Sequence, residues 1–239
     1  MNEKLEIDII IISYAQTDEL KEVTQHAIAS LMASEDPELI QFNVIVVESE
    51  KSIAPYQYPN SKTVYPEVPF GYHRYLNIGI AMTSAPFICL CNNDLIFHKN
   101  WATEILKPFF QFTDVFSASP FCTMHHPKEG FKQDDGIKIG YRIREELVGW
   151  CIFLRRDLLL KIGKLDENYI FWAADNDYAN TLNVLRFPHI LVTSSKVDHL
   201  ESKTLNQQDS ERKLDLTERQ ATYLKKKWHH RSGEDWVEL

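Results

Sequence analysis

The chain has 239 residues, of which 44% are hydrophobic and 25% charged, and its net charge is −8. That length and apolar content suit one large α/β domain or two small ones with a real core. The acidic balance excludes an overall basic footprint for nucleic acid, and no apolar run approaches the roughly eighteen residues of a membrane span.

The start, Met1-Asn2-Glu3-Lys4-Leu5-Glu6, is polar and leads directly into a strand, so it does not read as a signal peptide. The four cysteines are Cys89, Cys91, Cys122 and Cys151. Cys89 and Cys91 share one face of a strand, a poor disulfide pair, and no second CxxC-type pair completes a zinc site. Buried free thiols in a reducing compartment follow, and a cytoplasmic protein is expected.

Ile7 to Ile12 is a continuous aliphatic run and reads as a buried strand. Ser13-Tyr14-Ala15-Gln16 ends it. Thr17-Asp18-Glu19 then opens a helix, with a capping hydroxyl and acids in its first turn. Phe42 to Val47 is a second buried strand with Glu48 at its carboxyl end. Strand, helix, strand implies a right-handed parallel crossover. A short strand is expected near Thr63-Val64-Tyr65. Gly71 opens a helix that carries Arg74 and Asn77 on one face. Pro86 to Cys91 is the next apolar run, and it stops at Asn92-Asn93-Asp94. Asn100 is placed to cap a helix from Trp101, and Val115 to Ser119 reads as a strand.

Residues 120–146 lack periodicity and mix Pro, Gly, aromatics and charge, which marks a functional or disordered stretch. Leu147 to Leu154 is strand-like, interrupted by Gly149-Trp150. Arg156 to Ile162 is a short helix stopped by Gly163. Asp175-Asn176-Asp177 starts another helix, His189 to Ser194 is a last strand, and Val197-Asp198-His199 follows. Thr217 to Trp228 has helical periodicity, with Arg219, Lys225, Lys226, Lys227 and Arg231 making the tail basic. No internal repeat or linker appears, so one domain is the simplest organisation.

In open α/β sheets, ligands bind beyond the carboxyl ends of the strands. Tyr14, Glu48, Asn92 and Asp94 all sit at such ends. A flat aromatic, a carboxylate that can accept from a base N–H, and an acid for a hard divalent cation suit a nucleoside diphosphate carried with its metal. The glycine fingerprint of dinucleotide sites and the phosphate-loop lysine are both missing, which removes support for dehydrogenase and ordinary ATPase readings.

The order of these features resembles the nucleotide-sugar glycosyltransferases of the family-two type. It does so through Ile12-Ser13-Tyr14-Ala15, Val46-Val47-Glu48-Ser49, the Gly71/Arg74/Asn77/Gly79 segment, Asn92-Asn93-Asp94, Gly149 with Arg155-Arg156 and Gly163-Lys164-Leu165-Asp166-Glu167, and Ala174-Asp175-Asn176-Asp177. The likeness spans roughly residues 7 to 200 and rests on the order of six motifs rather than on any one. It implies a single-domain, Rossmann-like, mostly parallel sheet flanked by helices, the A-type glycosyltransferase fold. A nucleotide-binding half would cover about residues 1–98, an acceptor and catalytic half about 99–205, and a helical tail about 206–239.

The resemblance also implies roles. Tyr14 and Glu48 would hold the nucleobase, Arg74 and Asn77 would face the nucleotide, Asn92 would contact the nucleotide or donor sugar, Ser13 and Asn93 would belong to the same donor site, and Gly149 and Trp150 would line the sugar and acceptor pocket. Asp94 and His199 would bind a divalent metal, Mn2+ or Mg2+. Asp175 would be the general base of a direct displacement with inversion, using a nucleotide sugar, expected to be a UDP-sugar, and a hydroxyl acceptor on a glycan, a lipid-linked sugar, a protein or a modified DNA base.

The sequence departs from that pattern at Glu48, Asn92 and Ala174, where the family usually carries Asp, Asp and Glu. Simpler readings stand beside the functional ones. Asp175 and Asp177 could serve only the helix dipole, Trp150 could be core, and His199 could be a surface histidine. His125-His126 reads as part of a mobile loop rather than a metal pair. The basic tail reads as a solvated helix packed on the sheet by Tyr223, Leu224 and Trp228. A nucleotidyltransferase and a non-catalytic nucleotide- or glycan-binding relative are the rival functions.

Overall fold

The computed structural model describes residues 4–200 and 210–228. Arg231, named above with the basic tail, lies outside them. The strands are β1 (Leu5–Ser13), β2 (Ile40–Glu48), β3 (Lys62–Val64), β4 (Phe87–Asn92), β5 (Leu95–Phe97), β6 (Ser117–Phe121), β7 (Ile137–Ile139), β8 (Cys151–Arg155) and β9 (His189–His199). The helices are α1 (Asp18–Ala33), α2 (Tyr72–Ala81), α3 (Trp101–Gln111), α4 (Leu158–Ile162), α5 (Ala174–Val184) and α6 (Ser210–Trp228).

Together the strands form one mixed sheet in the order β3-β2-β1-β4-β8-β6-β9-β5, with β7 paired to β9. β1, β2, β3, β4, β6 and β9 run one way, and β5, β7 and β8 run the other. The single-domain, mostly parallel α/β architecture expected from the sequence is present.

β1 is the centre of the parallel half. Ile7, Ile9, Ile10 and Ile11 are fully buried, because helices cover both faces of a parallel sheet. Each such side chain contributes about 1.5–3 kcal/mol on leaving water. The register is continuous: Ser13 pairs with Glu48, and Ile12 with Asn92. Three strand ends therefore finish level. At the other end of these strands, Asp8 is buried and accepts from Ala85 N at 2.7 Å, Asn43 Nδ2 at 3.1 Å and Arg156 Nη2 at 2.5 Å. Arg156 thus locks the amino end of the sheet, away from the site.

Three local expectations need correction. Asn100 occupies the residue before α3 in a left-handed conformation, and its side chain caps nothing. The cap comes instead from Glu35 beyond the end of α1, whose carboxylate accepts from Ala102 N at 2.8 Å and Thr103 N at 3.1 Å. A remote carboxylate satisfies the helix amides and favours the positive end of the dipole. The stretch 120–146 is structured: it holds a 3-10 turn at His126–Glu129 and strand β7. His125 and His126 are buried there and bond to the carbonyls of Arg144 and Glu145 at 2.7 and 2.9 Å. They fasten this segment to itself rather than riding on a mobile loop.

The basic helix packs on α5 and the turn before it, not on the sheet. Leu224 and Trp228 form a small core with Tyr169, Ala173 and Ala174. Lys227 Nζ lies 2.7 Å from Asp166 Oδ2 and 2.8 Å from Asp177 Oδ1, and Trp228 Nε1 donates to Asp177 Oδ1 at 2.9 Å. Burial raises the Asp166 carboxyl, but the Lys227 ammonium and the Asn168 amides outweigh it, so its pKa lies below the ordinary value. No helix among the described residues is long and apolar enough to cross a membrane.

Two expectations test this packing. A Cβ at Gly79 would stand 2.4 Å from Ile10 Cγ2, so Gly79→Ala pushes α2 off β1 and lowers stability by about 1–3 kcal/mol in chemical denaturation. Lys227→Met leaves two carboxylates without their cation and costs on the order of 3 kcal/mol. Because the Asp166 pKa is depressed on folding, the stability it contributes is full above the unfolded carboxylate range and is lost as pH falls through the folded value. The loss on Lys227→Met is therefore largest near neutral pH and shrinks in acid, as paired melts at the two pH values would show.

Candidate active site

The level ends of β1, β2 and β4 form one wall of the site. Glu48 is fully buried. Its Oε1 accepts from Ala15 N at 3.1 Å and Glu50 N at 2.8 Å, and its Oε2 from Tyr58 Oη at 2.9 Å. It fixes the two turns that follow β1 and β2, including the one that carries Tyr14. Ser13 Oγ lies 3.0 Å from Thr24 Oγ1, and Asn93 Nδ2 donates to the same Thr24 oxygen at 2.9 Å. Ser13 and Asn93 are therefore joined through α1, a link the sequence reading missed because nothing marks Thr24 in the helix pattern.

Asp94 is buried, and its Oδ1 stands 3.3 Å from His199 Nε2. Strand pairing explains the meeting. β9 runs five residues past the expected Ser194, across a register shift beyond Pro120, and its end pairs with β5 so that Leu95 faces His199. The second apolar run after Asp94 is the strand that receives it. Trp150 stacks parallel on His199, with centroids 4.8 Å apart and 6° between the planes, and His125 meets it edge-on at 5.2 Å. The indole is 8% exposed, so it backs the histidine instead of presenting an open face to a sugar ring.

The other wall is the Gly149-Trp150 strap and the start of α5. β8 lies antiparallel to β4, with Cys91 opposite Cys151, and Asn92 N donates to Trp150 O at 3.0 Å. A Cβ at Gly149 would lie 2.7 Å from Asp175 Oδ2 and 2.9 Å from its Cβ. Only glycine lets strap and acid approach this closely. α5 starts from Ala173 in a left-handed conformation, with no side-chain cap. For a residue other than glycine that costs about 1–2 kcal/mol. Asp175 is half-buried as a residue, and its Oδ1 accepts from Asn176 N at 3.0 Å. Loss of water around it raises its pKa above the ordinary value, against the pull of the Asn176 amide and the Arg144 charge. Asp177, two residues on, is the anchor for Lys227 and Trp228.

Tyr72 stands between these walls. Its hydroxyl is 3.1 Å from Asn92 Oδ1 and 3.0 Å from Gly149 O. A small cavity is lined by Tyr72, Leu90, Gly149, Ala174 and Asp175. The sequence reading passed over Tyr72, although it directly follows the helix-opening Gly71.

Arg74 and Asn77 are not brought to these walls by the contacts they make. Asn77 Nδ2 donates to Leu165 O at 2.9 Å and to Glu167 Oε1 at 3.1 Å, and Arg74 Nε donates to Glu167 Oε2 at 3.3 Å. They pin the turn 165–167 onto α2.

The sequence also implied a divalent cation. Asp94 Oδ1 and His199 Nε2, at 3.3 Å, are spaced for two adjacent ligands on one ion with bonds of about 2.1 Å. No set of three or more His, Cys, Asp or Glu fit to hold a metal occurs among the described residues. The pair therefore fits a cation that keeps several positions for water and phosphate oxygens.

No family model matches the chain, and neither does any curated protein. Solved structures match by shape. GalNAc-T7 with UDP, GalNAc and Mn2+ superposes with a TM-score of 0.63 at 9% identity, over 82% of this chain and 43% of that one. Mannosyltransferase PcManGT from Pyrobaculum calidifontis, in complex with GDP-Man and Mn2+, gives 0.63 at 12% identity, over 84% of this chain and 59% of that one. The catalytic domain of Drosophila β1,4-galactosyltransferase 7, in complex with xylobiose, gives 0.56 at 12% identity, over 86% and 75%. The chain thus spans less than half the length of the first of these. At such identities the likeness speaks to architecture, and the chain has the A-type glycosyltransferase fold.

Proposed function

We propose that the chain is a metal-dependent, inverting glycosyltransferase that moves a sugar from a UDP-sugar to a hydroxyl acceptor. One observation carries the reading: at one sheet edge, a single strap packs Gly149 against a carboxylate of raised pKa and, one residue on, stacks Trp150 on the imidazole of a carboxylate–imidazole pair at 3.3 Å. The pair suits a diphosphate with its cation, and the raised carboxylate suits proton abstraction from an alcohol. The neighbours in shape, solved with UDP, GalNAc and Mn2+, with GDP-Man and Mn2+, or with xylobiose, support a nucleotide donor with its cation and a carbohydrate acceptor.

In this reading Tyr14 flanks the uracil. Glu48, fully buried with its three donors, supports the turn that carries Tyr14 from behind rather than meeting the base itself. Ser13 and Asn93 brace the floor through Thr24, and Arg74 and Asn77 hold the turn that closes over α2. Asp94 and His199 would hold the cation, which neutralises charge on the departing diphosphate. Asp175 takes the acceptor's hydroxyl proton as that oxygen bonds to the anomeric carbon. The bond from that carbon to the β-phosphate oxygen breaks on the opposite face, its electron pair leaves with UDP, and the configuration inverts. Trp150 keeps His199 in place by stacking.

The test is incubation with Mn2+, a panel of UDP-sugars and simple glycan acceptors, with nucleotide products and anomeric configuration read out. UDP with an inverted glycoside supports the reading. A sugar 1-phosphate, left when the bond at the α-phosphate breaks instead, moves the chain to nucleotidyl transfer, and a retained configuration removes Asp175 as sole base.

The raised Asp175 pKa makes two linked expectations. Turnover should fall on acidification at a pH above the ordinary aspartate value of about 3.9. A folded-state pKa above the unfolded one means that the ionised acid weakens the fold once pH exceeds the folded value. Asp175→Asn should therefore abolish most turnover, by about a hundredfold or more, and leave the melting temperature at neutral pH equal to or above that of the parent chain. A large drop in melting temperature would mean that the charge serves the fold.

A further inference from the structure

Tyr72 Oη stands 3.1 Å from Asn92 Oδ1 and 3.0 Å from Gly149 O. A phenol carries one hydrogen, and both of these neighbours are acceptors, so it cannot serve both at full strength. The opposite end of the Asn92 amide, Nδ2, makes no hydrogen bond among the described residues, although the residue is half-buried. Turning that amide by 180° changes no shape and removes the conflict. Nδ2 then donates to Tyr72 Oη, and Tyr72 Oη donates to Gly149 O.

We propose that Tyr72 is a positioning residue whose hydroxyl relays a hydrogen-bond chain from Asn92 Nδ2 to Gly149 O, and that this chain is why an asparagine serves at position 92. An aspartate there has no hydrogen to give when ionised. Tyr72 would have to abandon either that carboxylate or the strap carbonyl, and the strap rests against Asp175. The relay therefore ties the donor triplet, the strap and the base into one unit. It also sets which atom of Asn92 the site sees. An outward Oδ1 accepts from a hydroxyl of the donor and repels phosphate oxygens, whereas an outward amide nitrogen would do the reverse. Tyr72 is itself held: its backbone N–H donates to Ile170 O, and its ring meets Phe171 edge-on at 6.5 Å.

The relay is a property of the folded chain, while its consequence for catalysis rests on the glycosyltransferase reading. Two measurements on the full chain separate them. The first is hydrogen exchange of the asparagine side-chain amides by NMR, with the Asn92 pair assigned from its absence in Asn92→Asp. In the parent chain, one Asn92 amide hydrogen should exchange at least tenfold more slowly than those of exposed asparagines, and Tyr72→Phe should abolish that protection. Equal, fast exchange of both hydrogens in the parent chain overturns the relay without reference to any variant, as does protection that survives Tyr72→Phe. The second is kinetic, with UDP-sugar and Mn2+. Tyr72→Phe should raise the donor KM about three- to tenfold and leave the acceptor KM unmoved. Equal changes in both, together with a lowered melting temperature, would assign Tyr72 to the fold alone and overturn its positioning role. A chain that turns over no UDP-sugar refutes the glycosyltransferase reading, and amide exchange still decides the relay.

Discussion

One reversal of direction shapes the site. The parallel strands β1, β2 and β4 could end in a shallow edge, as open sheets do. Instead β8 runs down beside β4, with Cys91 opposite Cys151. The carboxyl end of β4 therefore meets the residues just before β8, and the asparagine–aspartate triplet lies against Gly149 and Trp150. Without that antiparallel step the triplet would face solvent alone. β9 completes the enclosure, because its last residue reaches β5 and stands His199 beside Asp94. Hydrogen-bond register, more than any side chain, decides which groups can meet.

The buried carboxylates sort by how completely they are answered. Asp8 has an arginine and two N–H donors. Asp177 has an ammonium and an indole N–H. Asp198 is buried, which raises its carboxyl, yet the Thr123 hydroxyl and amide and the His98 imidazole bring it below the ordinary range. Asp175 has the backbone amides of Asn176 and of itself and the pull of the Arg144 charge, and burial still raises its carboxyl. Two residues before it, Ala173 is left-handed at the start of an uncapped helix. Strain and an under-answered charge lie within three residues, which is where a functional site would place them. Asp175 and Asp177 sit two apart on one helix, and their surroundings differ entirely.

Much of this was legible from residues alone. The aliphatic runs 7–12, 42–47 and 86–91 announce buried parallel strands, and the polar residues that end them mark the site edge. Thr17 does cap α1, through the Leu20 amide at 3.3 Å. What could not be read were relations between distant segments. Glu35 caps α3 from the end of another helix, and no local motif encodes that. His199 stands out in the sequence, but its pairing with β5 lies beyond an irregularity at residues 193–195, where the register of β9 against β6 shifts, and no local motif marks that shift. Trp150 looked like a sugar platform because aromatics suit sugars, and only packing reveals that His199 lies on it. Arg74 and Asn77 share a helix face, as their spacing implies, yet that face is turned to 165–167. Tyr72 escaped notice because a tyrosine in the first turn of a helix carries no pattern.

The four thiols remain. Cys89, Cys91, Cys122 and Cys151 are free and wholly buried. Burial raises Cys89 and Cys151 above the usual thiol range, and Cys91 follows, through its neighbour Cys89 and burial together. Those three sit on β4 and β8, the two strands whose contact builds the site. An alkylating reagent reaches them only when those strands part, and the thiolate it needs is disfavoured until they do. The chain thus carries its own chemical clock: the rate at which its cysteines are consumed reports how often the seam between donor triplet and strap comes open.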